Sequence, residues 1–442
     1  MKKLIETIRN IFSIEDLRTR IFNTLMFLVI FRLGSFIVLP GVDPNKLETS
    51  TNKIFGLLDT LLGGAFSNAS IFGLGIMPYI SASIVLQLLT VAVPYFQKLQ
   101  KEGESGRKKI NQLTRLLTVA ITLAQAVGYI AATIPAEAIK PGFEGVMFNV
   151  TSMVVLTGGT IFCMWMGEKI TEKGIGNGIS MLIMIGIVSR FPGAILKEAL
   201  SLKLSGALTF MLEIGVLFFV VMGVVMITQA VRRIPVQYAK QMVGNKVYGG
   251  QRQYLPIKVN SAGVMPIIFA QSLMFLPAMI ASAFRDTSDL AGTIGTVFSD
   301  YTSWQYNLLF ALLIIVFTFF YTAIAINPQQ ISDDMKRNNG FIPGVKPGPT
   351  TTEYIAEVLD RITLPGAIFL AIIAILPSFA AKMGVSRDFA QFFGGTSLLI
   401  LVGVVLDTLQ QIESYLLIRH YEGMMKSGKF KASADSMAAM AS

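Results

Sequence analysis

The 442-residue sequence contains one histidine and one cysteine. A single thiol, Cys163, lies in an apolar run and cannot form an internal disulfide, so cysteine usage leaves the redox compartment open. His420 follows the last apolar run and reads as a solvated tail residue. No H-E-x-x-H, C-x-x-C, P-loop or G-x-S-x-G pattern occurs, and one His with one Cys cannot build a His-assisted nucleophile. The chain therefore reads as a non-enzyme, with no catalytic residues, no metal ligands and no cofactor. Gly174-Ile175-Gly176-Asn177-Gly178 faintly resembles a nucleotide loop, but it lacks the preceding strand and the spacing of one.

Charge is equally scarce. Asp, Glu, Lys and Arg make up 14% of residues, against about a quarter in soluble domains. Hydrophobic residues make up 53%, and mean hydropathy is +0.61. Length alone would allow two or three soluble domains. A chain this poor in charge cannot cover a globule with polar surface, so its solvent is mostly lipid. No cleavable signal is expected: the first apolar stretch is too long for an h-region and ends in Leu39-Pro40-Gly41.

What is present is a series of long apolar runs. Crossing the hydrocarbon takes about 20 residues of helix. Ten runs qualify, near 20–39, 75–93, 116–134, 147–166, 179–196, 207–229, 263–283, 307–326, 363–381 and 393–412. The fifth is interrupted by Arg190 and Pro192. The net charge of +10 is distributed unevenly between the runs. With the N-terminus inside, 27 of the 37 Lys and Arg fall on the cytoplasmic side and 9 outside. That bias puts both termini in the cytoplasm. The remaining one, Arg32, lies near the outer end of the first run and is read as snorkelling to the interface. Ten spans split as five and five, which allows but does not demonstrate an inverted repeat.

One segment fits no span. Residues 54–74, IFGLLDTLLGGAFSNASIFGL, are apolar but broken by Asp59, Gly63, Gly64 and Asn68. Irregular backbone at membrane depth must be buried in protein or line a cavity. The segment reads as a short helix folded back into the bundle, with an interfacial hairpin as the competing reading. Asn68-Ala69-Ser70 also forms a glycosylation sequon, a pattern common by chance.

An ion-coupled secondary transporter of a small solute is the main rival reading. It calls for ionisable groups near the midplane, yet Glu213 and Asp407 lie toward the ends of their runs. Two cytoplasmic loops stand out. Residues 230–262 carry Arg232, Arg233, Lys240, Lys246, Arg252 and Lys258 among Tyr238, Tyr248 and Tyr254, and residues 327–362 are turn-rich. Basic, aromatic loops suit docking onto an acidic partner or RNA; topology determination alone is the alternative.

Several stretches resemble the SecY family closely. Residues 70–87, SIFGLGIMPYISASIVLQ, and 165–180, WMGEKITEKGIGNGIS, are similar to its two signatures. Residues 101–107 (KEGESGR), 255–260 (LPIKVN) and 393–400 (FGGTSLLI) follow the family in order. The resemblance implies an all-α integral membrane protein: ten transmembrane helices in two inverted pseudo-symmetric halves, with a re-entrant plug helix. It implies a channel that conducts unfolded preproteins across the bacterial cytoplasmic membrane and releases transmembrane segments sideways into lipid. The implied partners are the small subunits SecE and SecG, the motor ATPase SecA, the ribosome and signal-bearing preproteins. A membrane insertase without a pore is a further rival.

The resemblance also assigns residues. A pore ring would comprise Ile76, Ile80, Ile179, Ile183, Ile268 and Ile400. The fourfold spacing puts Ile76 with Ile80, and Ile179 with Ile183, on one helix face. A plug, about 55–73, would include Phe55, Leu57, Leu58, Asp59, Gly63, Gly64, Phe66 and Asn68. Its glycines and Asn68 suit a piece that must leave and return. A lateral gate would carry Ser81, Ser83 and Gln87. Motor or ribosome docking would fall on Arg232, Arg233, Lys240, Lys246, Arg252 and Lys346, the last standing where many members have arginine. The expected organisation is an N-terminal half over 1–189, an external hinge over 190–206, a C-terminal half over 207–426 and a tail over 427–442.

Overall fold

The computed structural model describes residues 12, 14–47, 62–142, 145–201, 206–238, 241–243, 246–248, 252–283 and 301–426. Each of the ten apolar runs falls on a helix. In chain order the helices of eight or more residues are α1 (Glu15–Gly34), α2 (Met77–Ala92), α3 (Pro94–Lys101), α4 (Glu104–Thr133), α5 (Val146–Lys173), α6 (Gly178–Ser201) and α7 (Ala207–Gln229). Strands β1 (Val231–Tyr238), β2 (Gln241–Val243), β3 (Lys246–Tyr248) and β4 (Arg252–Lys258) follow. Then come α8 (Met265–Ala283), α9 (Trp304–Ala325), α10 (Pro328–Arg337), β5 (Gly340–Phe341), α11 (Pro349–Lys382) and α12 (Gly395–Lys426).

Among the described residues, seven helices are long and apolar enough to cross a membrane, or eight if α2 and α3 count as one bent span. The bend between α2 and α3 is 100°. Pro94 causes it: the ring removes an N–H and drives Val93 to extended backbone (φ −112°, ψ 120°). Exposed apolar side chains crowd the outer faces, as on α7 with Leu208, Met211, Phe218 and Phe219. That pattern belongs to a chain solvated by lipid.

The helical order departs from the expected boundaries at one place. α6 continues through Arg190 and Pro192 to Ser201, so most of the expected hinge over 190–206 is helical. The turn joining α5 to α6, which holds the Gly-Ile-Gly-Asn-Gly run, is clamped from two sides. Thr24 of α1 accepts from the Ile175 N–H (3.0 Å), and Gln411 of α12 accepts from the Gly176 N–H (2.8 Å). The glycines there serve close packing: a Cβ on Gly178 would lie 2.0 Å from the Gly167 carbonyl oxygen. At its other end α6 meets the connection into α12, where the buried Glu198 carboxylate accepts from the Ser386 N–H at 3.1 Å.

The two long loops hold structure that the sequence reading did not foresee. β1 pairs antiparallel with β4 and with β5, giving the order β4-β1-β5. Strand alternation buries Ile234 and Val236 while Arg233 and Pro235 stay outside. Those residues join Ile257, Met335, Ile342, Ile355 and Leu359 in a small apolar core of their own. β1, β4, β5, α10 and the start of α11 therefore fold together as one unit.

Candidate functional site

The N-terminal ends of α2, α6, α8 and α12 converge on one point. Ile76, which caps α2, joins Ile80, Ile183, Ile268 and Ile400 around a cavity of about 20 Å³, with Leu62, Met77 and Gln271 completing the lining. All five isoleucines are buried. This is space for about one water, which would need two to four polar partners to stay. Among the described residues, Gln271 supplies the only polar side chain of the lining. A β-branched side chain is stiff at χ1, so such a ring holds its shape while offering no polar contact. Apolar constrictions of this kind oppose water and ions by dewetting.

Ile179 is not in this set. It sits at the second position of α6, with its Cγ1 only 3.0 Å from where a Gly167 Cβ would be. The close crossing of α5 and α6 takes up that side chain, although it shares a helix face with Ile183.

The segment above the cavity is described from residue 62 onward. Over 62–76 it is a series of turns. Phe55, Leu57, Leu58 and Asp59 lie outside the described residues. Gly63, Gly64 and Phe66 are buried and Asn68 is exposed. Gly63 and Gly64 adopt φ of +63° and +93°, a region glycine enters without a Cβ penalty. Tyr129 of α4 donates to the Phe66 carbonyl (2.8 Å), and its ring meets Phe66 edge-on with centroids 4.7 Å apart. Arg32 does not reach outward to an interface: its Nη1 donates to the Gly63 carbonyl at 2.9 Å.

Gln87 marks the seam between α2 and α9. Its Nε2 donates to Ser83 Oγ at 3.2 Å, and Tyr321 of α9 donates its hydroxyl to Gln87 Oε1. The Tyr321 ring also meets Phe269 of α8, centroids 4.7 Å apart. Ser81 turns to its own helix, donating to the Met77 carbonyl at 3.1 Å. Sequence reasoning missed Tyr321. A tyrosine inside an apolar run was the available signal, because its hydroxyl needs a partner there.

On the sheet unit, Arg232 and Arg233 are exposed on β1. Lys346 is exposed in the turn before α11, where its carbonyl accepts from Thr351 Oγ1 at 2.8 Å. Ser332 of α10 donates to the Gly348 carbonyl at 3.0 Å, holding the same turn. Lys246 and Arg252 lie on β3 and β4. Lys240 is outside the described residues. At the end of α5, Lys169 lies 2.7 Å from Glu172 and holds that carboxyl below its usual range by hydrogen bond and charge.

Among the described residues, no group of three or more His, Cys, Asp or Glu is placed to hold a metal ion. Cys163 is buried and free. Glu213 is buried on α7 away from the cavity, and Asp407 is exposed on α12.

The chain was compared with known proteins on this background. A model of the SecY family matches residues 70–409. The protein translocase subunit SecY of Streptomyces scabiei is 44% identical over 433 residues, covering 94% of this chain and 98% of that protein. That of Mycobacterium bovis is 41% identical, covering 93% and 97%. That of Halalkalibacterium halodurans is 43% identical over 438 residues, covering 96% and 100%. A solved structure of a protein conducting channel aligns with a TM-score of 0.65 at 16% identity, over 90% of this chain and 92% of that one. Sec61 in the canine ribosome-channel complex from the endoplasmic reticulum aligns at 0.61 and 16% identity, with the same coverage. At such identity these two establish a shared fold.

Proposed function

The chain belongs to the SecY family, and from that membership we propose that it is a multi-pass membrane channel conducting unfolded preproteins, with a lateral opening for transmembrane segments. One observation carries the reading: isoleucines from four separate helices close on a single, nearly non-polar aperture. A solute carrier needs polar groups where its solute binds, and among the described residues the aperture offers only Gln271.

In this reading Ile76, Ile80, Ile183, Ile268 and Ile400 form the constriction, with Ile179 at its margin. Residues 55–73 act as the plug. The contact of Gln87 with Tyr321 latches a lateral gate between α2 and α9. The sheet unit, with Arg232, Arg233 and Lys346 outward, receives SecA or the ribosome. SecE and SecG complete the complex in the bacterial cytoplasmic membrane, both termini being cytoplasmic. α1–α6 and α7–α12 are the two halves.

Reconstitution tests it. Proteoliposomes holding the chain with SecE, SecG, SecA and ATP should protect a preprotein from external protease, and protection should vanish without ATP. No protected product, under conditions where a known translocon works, overturns the channel reading and directs attention to solute uptake.

A further inference from the structure

The segment over 62–71 is fastened in two different ways. Its later part is stapled by backbone. Leu39 N–H donates to the Ala69 carbonyl and Ile71 N–H to the Ile37 carbonyl, both at 2.9 Å, around an antiparallel bridge of Val38 with Ser70. Its earlier part is gripped by long side chains. Arg32 of α1 donates to the Gly63 carbonyl at 2.9 Å, and Arg190 of α6 donates to Ser67 Oγ at 3.3 Å. Between the two parts Ala69 sits at φ +45°, an uncommon conformation for a residue with a Cβ.

The grip is close. A Cβ on Gly63 would lie 2.7 Å from Arg32 Nη1 and 2.8 Å from the Gly186 Cα; one on Gly64 would lie 2.8 Å from Arg190 Nη2. The segment thus rests directly on α6 at Gly186, with the Arg32 guanidinium at Gly63 and the Arg190 guanidinium at Gly64. Arg32 is also fixed over the Phe36 ring, 5.1 Å from its centroid. Hydrogen bonds from a charged donor are stronger than neutral ones. They run through side chains, which can turn away without disturbing the backbone bridge.

We infer that Arg32 and Arg190 are positioning residues that latch the front of the plug, and that the plug swings about Asn68-Ala69 while residues 69–71 stay stapled. This rests on the channel and plug reading above. The two arginines come from different helices, α1 and α6, and Tyr129 of α4 adds a third side-chain contact through the Phe66 carbonyl. A shift of α6 relative to α1 would therefore loosen the front of the plug, which Tyr129 also holds, without melting its stalk.

The test uses the reconstituted complex with its small subunits. Arg32→Gln, Arg190→Gln and the double variant are compared with Arg32→Lys, Arg190→Lys and Ser67→Ala. Ion leak is measured without substrate, and motor-driven translocation is measured with normal and with crippled signal sequences. Losing one charge-assisted bond should raise leak and passage of crippled signals by roughly tenfold. The double variant should exceed either single one. Lysine keeps the charge and one donor but not the fork, so its variants should fall between. Ser67→Ala, which leaves both arginines in place, should reproduce part of the Arg190→Gln effect. Wild-type leak and wild-type signal stringency in a double variant that still translocates the normal preprotein would overturn the latch alone. Failure of the wild-type complex to translocate any preprotein would overturn the channel reading, and the latch with it.

Discussion

Tyr321 donates its hydroxyl to the side-chain oxygen of Gln87, joining α9 to α2 across 234 residues of chain. Gln87 in turn donates to Ser83 on its own helix, so its amide is oriented before α9 arrives. An interhelical hydrogen bond within a membrane is worth about 0.6 kcal/mol on average, close to a threefold bias. Gln87→Leu and Tyr321→Phe should therefore each loosen the seam by a small factor, and the pair together should do little more than either alone. Export of preproteins carrying defective signals should rise in both. Unchanged export would remove this contact from the gate.

The constriction should fail by wetting. Replacing Ile183 or Ile400 with Asn puts an amide into a cavity whose one polar side chain, among the described residues, is Gln271. Water then finds the partners it lacks, and resting ion conductance in vesicles should rise several-fold. Ile179→Asn should have a smaller effect, because Ile179 packs toward Gly167. Equal leak from Ile179→Asn and Ile183→Asn would show that both line the path.

Lys346 is exposed on a turn braced by Thr351 and Ser332, a charge on a fixed mount. Lys346→Glu reverses that charge without removing either brace. Motor-driven export should fall, and stimulation of SecA ATP hydrolysis by the reconstituted channel should fall with it. Full stimulation would place the docking contact elsewhere on the sheet unit.

Stability should depend on particular glycines. Gly178→Ala puts a Cβ 2.0 Å from the Gly167 carbonyl oxygen, an overpacking that typically costs about 1–3 kcal/mol. Gly215→Ala on α7 meets nothing within 4 Å and gains helix propensity, up to about 1 kcal/mol. Thermal unfolding in detergent should show the first variant less stable than wild type and the second no less stable.

The sequence made the helices legible because length and apolarity are local quantities. All ten apolar runs fall on helices, and the α2–α3 bend sits at the proline that ends the second run. The site was less legible. Nothing in the composition separates Ile183 or Ile400 from the many other isoleucines; the family resemblance singled them out, and only the fold brings them together. Ile179 illustrates the limit, since helix spacing pairs it with Ile183 while a glycine on the neighbouring helix draws it aside. Arg190 and Pro192 interrupt the fifth apolar run in sequence, yet α6 continues through both to Ser201. The β1–β5 pairing joins loops about a hundred residues apart in sequence, and no short window contains that information. Tyr321 was visible as a residue, but its partner was not.

The attachments of α6 govern how the molecule can move. Gln411 of α12 holds the turn at the start of α6, and Glu198 near the end of α6 holds Ser386 just ahead of α12. Two rods tied at both ends cannot slide along one another; the freedom left to them is a turn about their common axis. Whatever parts α2 from α9 is therefore amplified by distance from that axis. A turn about that axis would move Gln87 and Tyr321 in proportion to their distance from it, as a door moves least at its jamb and most at its edge.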